Sequence, residues 1–137
     1  MKVKRQIIFD YPPNFGLIDA TFNVYNKPVI YAFGDVIYNP KSIAIGDELL
    51  AHENVHCTRQ ADTPFNWWRN YCSDVEFRGV EELLAHQVEY GAYCAKQNRH
   101  GRRVALDMIA ARLASPLYGL NVSKVRAKQL IKTVTAT

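Results

Sequence analysis

Between Glu48 and Gln60 the chain contains neither glycine nor proline, whereas residues 1 to 40 are interrupted by Pro12, Pro13, Pro28 and Pro40. Proline fixes φ and removes a backbone donor, so the first part can form only short segments. Residues 1 to 40 are therefore expected to be strands and turns. Gln6 to Tyr11 is an apolar run stopped by Pro12 and Pro13, and Ala20 to Tyr25 alternates loosely. Pro28 to Phe33 and Val36 to Tyr38 flank Gly34 and Asp35, a hairpin pattern. From Gly46 onward the pattern is helical, with Asp47 expected to cap a helix reaching Gln60. Further helices are expected over Pro64 to Cys72, Asp74 to Gln97 and Arg102 to Ala114, with Gly101 separating the last two. Ser115 to Gly119 reads as a turn, and Ser123 as the cap of a final helix to Lys132. The expected fold class is α+β: one domain over residues 1–137, with a strand region at 1–40 and a mainly helical part at 46–132.

A length of 137 residues fits one domain, and 48% hydrophobic against 22% charged residues excludes a disordered chain. The net charge of +4 permits contact with an acidic surface without demanding it. Lys2, Lys4 and Arg5 open the chain, and Arg99, Arg102, Arg103, Arg112, Lys124, Arg126, Lys128 and Lys132 load its last third. Such residues ordinarily form a solvated face, so nucleic acid is not an expected partner. Cys57, Cys72 and Cys94 are an odd number without paired spacing, which points to reduced thiols. Only Ile7, Ile8 and Phe9 follow the basic start before Asp10, too few for a signal-peptide core. No run is long enough to span a membrane. The expected location is the cytoplasm, or a particle assembled there.

Residues 52 to 56 read His-Glu-Asn-Val-His. On a helix, positions four apart lie about 40° apart around the axis and one turn apart along it. Two imidazoles so placed can converge on one metal ion at roughly 2.0–2.1 Å. Glu53 is turned about 100° from His52, beside the ion rather than on it. A carboxylate there can take a proton from a water whose pKa zinc lowers to about 7. With four His and six Glu in the chain, chance produces such a pentapeptide about 0.005 times per chain.

One zinc per chain needs a third protein ligand. Asp62 has the spacing of an HExxHxxGxxH/D pattern, but the turning Gly of that pattern is Arg59 here. On a straight continuation Asp62 faces away from His56. Glu82, in the run Glu81-Glu82-Leu83-Leu84-Ala85-His86, is the better candidate, with Glu81 and Glu89 as alternatives. Arg78, Glu82, His86, Glu89 and Tyr93 form one polar stripe, and Val80, Leu83, Leu84, Cys94 and Ala95 lie roughly opposite. Ala85, Val88 and Ala92 make a small-residue flank where another helix can approach. His86 is a candidate for supporting the ligands from behind, and Tyr71 or Tyr90 for stabilising an oxyanion. Arg78 has Glu53 and Asp74 as candidate partners. Cys57, Trp67 and Trp68 read as core, and His100 as exposed.

The run Ala51-His52-Glu53-Asn54-Val55-His56, with Gln60 after it and Glu82-Leu83-Leu84-Ala85-His86 downstream, resembles the gluzincin metallopeptidases. More closely, the chain resembles small HExxH proteins of phages and bacteria. Phe33-Gly34-Asp35 with Tyr38-Asn39-Pro40, Trp67-Trp68 with Tyr71, Phe77-Arg78, and Ser115-Pro116-Leu117-Tyr118-Gly119 carry that likeness, over about residues 30 to 130. The resemblance implies a zincin-like fold, in which strands precede the HExxH helix and an edge strand holds extended substrate. The hairpin Pro28 to Tyr38 would be that edge. Unlike in larger gluzincins, no second substrate-binding domain is expected within these 137 residues.

The leading expectation is a zinc-dependent metallopeptidase acting on a peptide or protein substrate, with Glu53 as base. "Peptide" rests on the resemblance alone. The alternative is a non-enzymatic phage or virion assembly protein that retains the scaffold and has other virion proteins as partners. A third reading, a DNA-associated zinc protease, has only the basic C-terminal third in its favour. An intact Glu53 favours the enzyme, since a structural zinc needs no base.

Overall fold

The proline-cut N-terminal part does form a sheet, with a helix in its midst. The computed structural model describes residues 5–133, so Lys2 and Lys4 lie outside the described residues. Strands β1 (Gln6–Ile8), β2 (Tyr31–Phe33) and β3 (Val36–Tyr38) make one sheet in the order β1-β3-β2. β1 runs parallel to β3, and β2 pairs antiparallel with it, Phe33 opposite Val36. The two-residue connection is the expected hairpin turn, with Gly34 at φ +64°. Arg5 ties β1 to the histidine helix by hydrogen bonds from Nε to Asn54 (2.8 Å) and from Nη2 to Thr58 (3.1 Å).

Residues 15–22 depart from the expectation of strands and turns. They form helix α1 (Phe15–Phe22). Phe15, Ile18 and Phe22 recur at helical spacing and pack against Tyr31, Trp67, Trp68 and Tyr71. A window opened at Ala20 begins near the end of this helix and misses that period. Asn23, at φ +54°, ends it, and the Asp19 carboxylate accepts the N–H groups of Val24 and Tyr25.

The helical part follows as α2 (Asp47–Gln60), α3 (Pro64–Ser73), α4 (Val75–Cys94), α5 (Arg99–Leu113) and α6 (Lys124–Thr133). Asp47 does not cap α2 through its side chain; Gly46 occupies that place and Asp47 pairs with Lys96 of the α4–α5 connection at 2.8 Å. Asp74 caps α4 by accepting from the N–H groups of Glu76 and Phe77. Gly101 does not precede α5 but lies in its first turn, because Asn98 caps the helix by accepting the Gly101 N–H. A 3₁₀ turn at Pro116–Tyr118 ends on Gly119 at φ +73°, and Ser123 caps α6 as expected.

Among the described residues, then, the chain is α+β, with six helices and a three-stranded sheet. One core joins α4, α5 and α6 around Ile109, Leu113 and Ile131. Two smaller ones lie around Tyr31 with Trp67 and Trp68, and around Ile37 with Cys57. α2 and α4 make the most extensive helix pair. The small-residue flank of α4 expected at this interface is only partly there. Of the flank Ala85, Val88 and Ala92, only Ala85 is fully buried, and Val88 and Val80 face solvent. The polar stripe Arg78, Glu82, His86 and Glu89 is buried instead. No helix among the described residues is long and apolar enough to cross a membrane.

Candidate metal centre

Burying four charged or polar side chains on one helix face costs free energy unless each finds a partner. α2 supplies partners for two of them, Glu82 and Glu89. His52 and His56 stand one turn apart on it, and their Nε2 atoms face the Glu82 carboxylate at 3.3 Å (Oε1) and 3.2 Å (Oε2). All three residues are buried, and ligand atoms from each lie within 4.8 Å of one another. In a tetrahedral site with bonds near 2.05 Å, neighbouring ligand atoms are about 3.3 Å apart. Each histidine nitrogen is at about that distance from one oxygen of the Glu82 carboxylate, His52 from Oε1 and His56 from Oε2. Glu82 Oε1 is, moreover, buried without a hydrogen-bond partner. Two nitrogens and an orphaned carboxylate oxygen around one point form a donor set that fits a metal ion.

The surroundings orient this set. His52 Nδ1 is 2.8 Å from Glu89 Oε1, which leaves Nε2 to face Glu82. Arg112 of α5 grips Glu89 with both terminal nitrogens, at 3.0 and 2.9 Å. The Tyr71 hydroxyl donates to Glu82 Oε2 at 2.6 Å. His86 Nδ1 is 2.6 Å from the Glu82 carbonyl, and its ring is 4.8 Å from that of His52. Its buried Nε2 has no partner, nor has His56 Nδ1.

Charges follow from burial and contact. Burial works against an imidazolium at His52, but the Glu82 and Glu89 carboxylates outweigh it and raise the pKa to about 10. Glu82 is also opposed by burial, yet His56 and His52 hold it well below the ordinary carboxylate range. Glu89 is lowered to about 2 against its burial, by His52 and Arg112. His86 is lowered to about 4, first by burial and then by the charge on His52, so it stays neutral. Glu53 moves the other way. Burial raises its pKa, with His52 and His56 opposing.

The centre opens on a cavity of about 290 Å³. Its walls include His52, Glu53, His56 and Glu82, together with Trp67, Trp68, Tyr71 and Tyr118. Glu53 thus lies beside the ligand set and outside it, and its carboxylate has no hydrogen-bond partner among the described residues.

The other expected residues are placed as follows. Asp62 is exposed beyond the end of α2, after Ala61 at φ +50°. Glu81 points elsewhere, accepting from Arg59 Nε (2.9 and 2.8 Å) and Trp67 Nε1 (2.6 Å). Arg59, where the Gly-turn pattern needs glycine, thus helps clamp α2 to α4. Glu89 pairs with His52 and is not one of the three clustered residues. Tyr90 belongs to the α4–α5–α6 core and does not line the cavity, so it is not a group of this site. Arg78 pairs with neither Glu53 nor Asp74; it donates to the Tyr71 carbonyl, its guanidinium 5.1 Å from the Phe22 ring centre. Cys57 is core, its thiol pushed up to about 12 by burial, and His100 is exposed. Trp67 is buried as expected but also lines the site, 5.2 Å from the His56 ring. Arg112 and Tyr118 were not legible as site residues. They come from α5 and the 3₁₀ turn, and no spacing links either to the histidine pair.

No family model, curated protein or solved structure matches the chain.

Proposed function

We propose that this chain is a zinc-dependent hydrolase of small zincin-like fold, most simply a metallopeptidase. The observation that carries this reading is the buried His52–His56–Glu82 set with the unengaged Glu53 carboxylate on the same cavity. Imidazole and carboxylate donors in a three-ligand set suit a catalytic zinc that keeps a fourth position open. Bound there, zinc would lower the pKa of a water to about 7 and polarise a carbonyl.

The protein's own groups supply the rest. Glu53, whose pKa burial raises, accepts the proton that the attacking water loses and returns it to the departing nitrogen. Glu82 stays ionised and keeps the site anionic. Tyr71 is engaged on Glu82; of the cavity's other phenols, Tyr31 and Tyr118, the one beside the centre is Tyr118, its ring 5.4 Å from that of His86, and it can donate to a developing oxyanion. Burial and the nearby Glu82 push its pKa up, which keeps that proton in place.

The test is Glu53→Gln, nearly isosteric and unable to take the proton. We expect zinc to be retained and hydrolysis of a broad peptide library to fall at least ~10²-fold. Equal cleavage by both proteins, or none by either, would give the ground to a non-enzymatic assembly protein.

A further inference from the structure

The zincin-like resemblance implies that an edge strand pairs with an extended substrate, and here β2 would be that edge. Its outer side is already engaged. Gln60 Nε2 donates to the Ala32 carbonyl at 2.9 Å, and Gln60 Oε1 accepts the Gly34 N–H at 2.7 Å. This one carboxamide occupies a carbonyl and the N–H two residues on, as a peptide unit of a neighbouring strand would. Trp68 Nε1 is a second donor to the same carbonyl, at 2.9 Å. Gln60 and Ala32 are 0% and 2% exposed. An incoming strand would have to leave two buried donors unpaired, which is costly. The other edge, β1, lies on the far side of β3 and contributes nothing to the cavity.

We propose that substrate is held instead by one bulky apolar group, of aromatic side-chain size, inserted into the cavity beside the centre. This rests on the hydrolase reading above. The volume sets the size. A cavity of about 150 Å³ takes benzene, so about 290 Å³ holds one large ring with its linker and not several side chains. The walls set the chemistry. Ile18, Phe22, Val24, Val29 and Trp68 give the cavity an apolar wall. The cation among the lining residues outside the histidines, Arg112, has both terminal nitrogens on Glu89, so an anionic group finds no partner there.

The test compares three hydroxamates on the zinc-loaded full chain by calorimetry. Acetohydroxamate has no large group, phenylpropionyl hydroxamate carries one ring, and trialanine hydroxamate can extend along a strand. The ring compound should bind about 10- to 100-fold tighter than acetohydroxamate, the scale for burying one aromatic group. Trialanine hydroxamate should stay within about threefold of acetohydroxamate. Val29→Trp, which fills the cavity from its partly exposed rim, should abolish the advantage of the ring while zinc content stays unchanged. Val24→Trp serves the same purpose if that variant fails to fold. Trialanine hydroxamate binding tighter than the ring compound would overturn the proposal, as would no advantage of the ring in a protein that holds zinc. Indole binding to metal-free protein separates the two readings. A chain that takes indole next to Val29 but never holds zinc would discard the hydrolase and keep the cavity's preference.

Discussion

Glu89→Gln isolates the group that links the candidate ligands to the rest of the fold. Glu89 takes His52 Nδ1 on Oε1 and both terminal nitrogens of Arg112 on its two oxygens. Its pKa of about 2, against an ordinary 4.5, corresponds to roughly 3 kcal/mol of stabilisation. Arg112 is 34% exposed and keeps water in the variant, so we expect a loss of about 2–3 kcal/mol rather than the full figure. Because the folded-state pKa is depressed, this stability is fully present above about pH 4.5 and is lost as pH falls through about 2. Chemical denaturation of metal-free protein at a series of pH values reads both effects. The variant should lack the part of the acid-induced loss that Glu89 contributes. Zinc affinity should fall about 10- to 100-fold, the scale for losing a carboxylate behind a ligating histidine. A variant within about 0.5 kcal/mol of wild type, with unchanged zinc affinity, would refute the reasoning.

Glu82→Ala should weaken zinc binding by at least ~10²-fold, while Asp62→Ala leaves it nearly unchanged, as read by competition with a chelator. The reverse result would place the chain with the Gly-turn zincins. Zinc affinity should also rise about tenfold per pH unit from about pH 6 to 8, because the His52 imidazolium, with its pKa near 10, must give up its proton to ligate. Proton release by calorimetry in buffers of different ionisation enthalpy checks this; no net release would contradict it.

His52, Glu53 and His56 could be read from the sequence because helix geometry relates them within α2, whereas Glu82 was one candidate beside Asp62, Glu81 and Glu89, since it meets the histidines only where α4 crosses α2. What lay beyond required tertiary contacts. Glu89 had the right stripe but was read as an alternative ligand, since nothing local shows that Arg112, twenty-three residues on, would hold it away from the metal position. Tyr118 reaches the cavity only because Gly119 permits the left-handed turn that ends the 3₁₀ segment. Val88 was read into the interface because it falls with Ala85 and Ala92 on a flank of small residues, where helices can approach closely. On α4 the buried face toward α2 is the polar one, which is the inversion expected of a functional site. α1 was missed for a simpler reason: eight residues give barely two turns of periodicity, and the reading frame began near its end.

Metal content tests the central claim most directly. Native mass spectrometry of the full chain purified without chelator should show one zinc per chain, removed by chelator and restored on adding zinc. The His52→Ala, His56→Ala double variant should be metal-free under the same conditions. One zinc retained in that variant, or none taken up by folded wild type at micromolar zinc, would contradict the assignment.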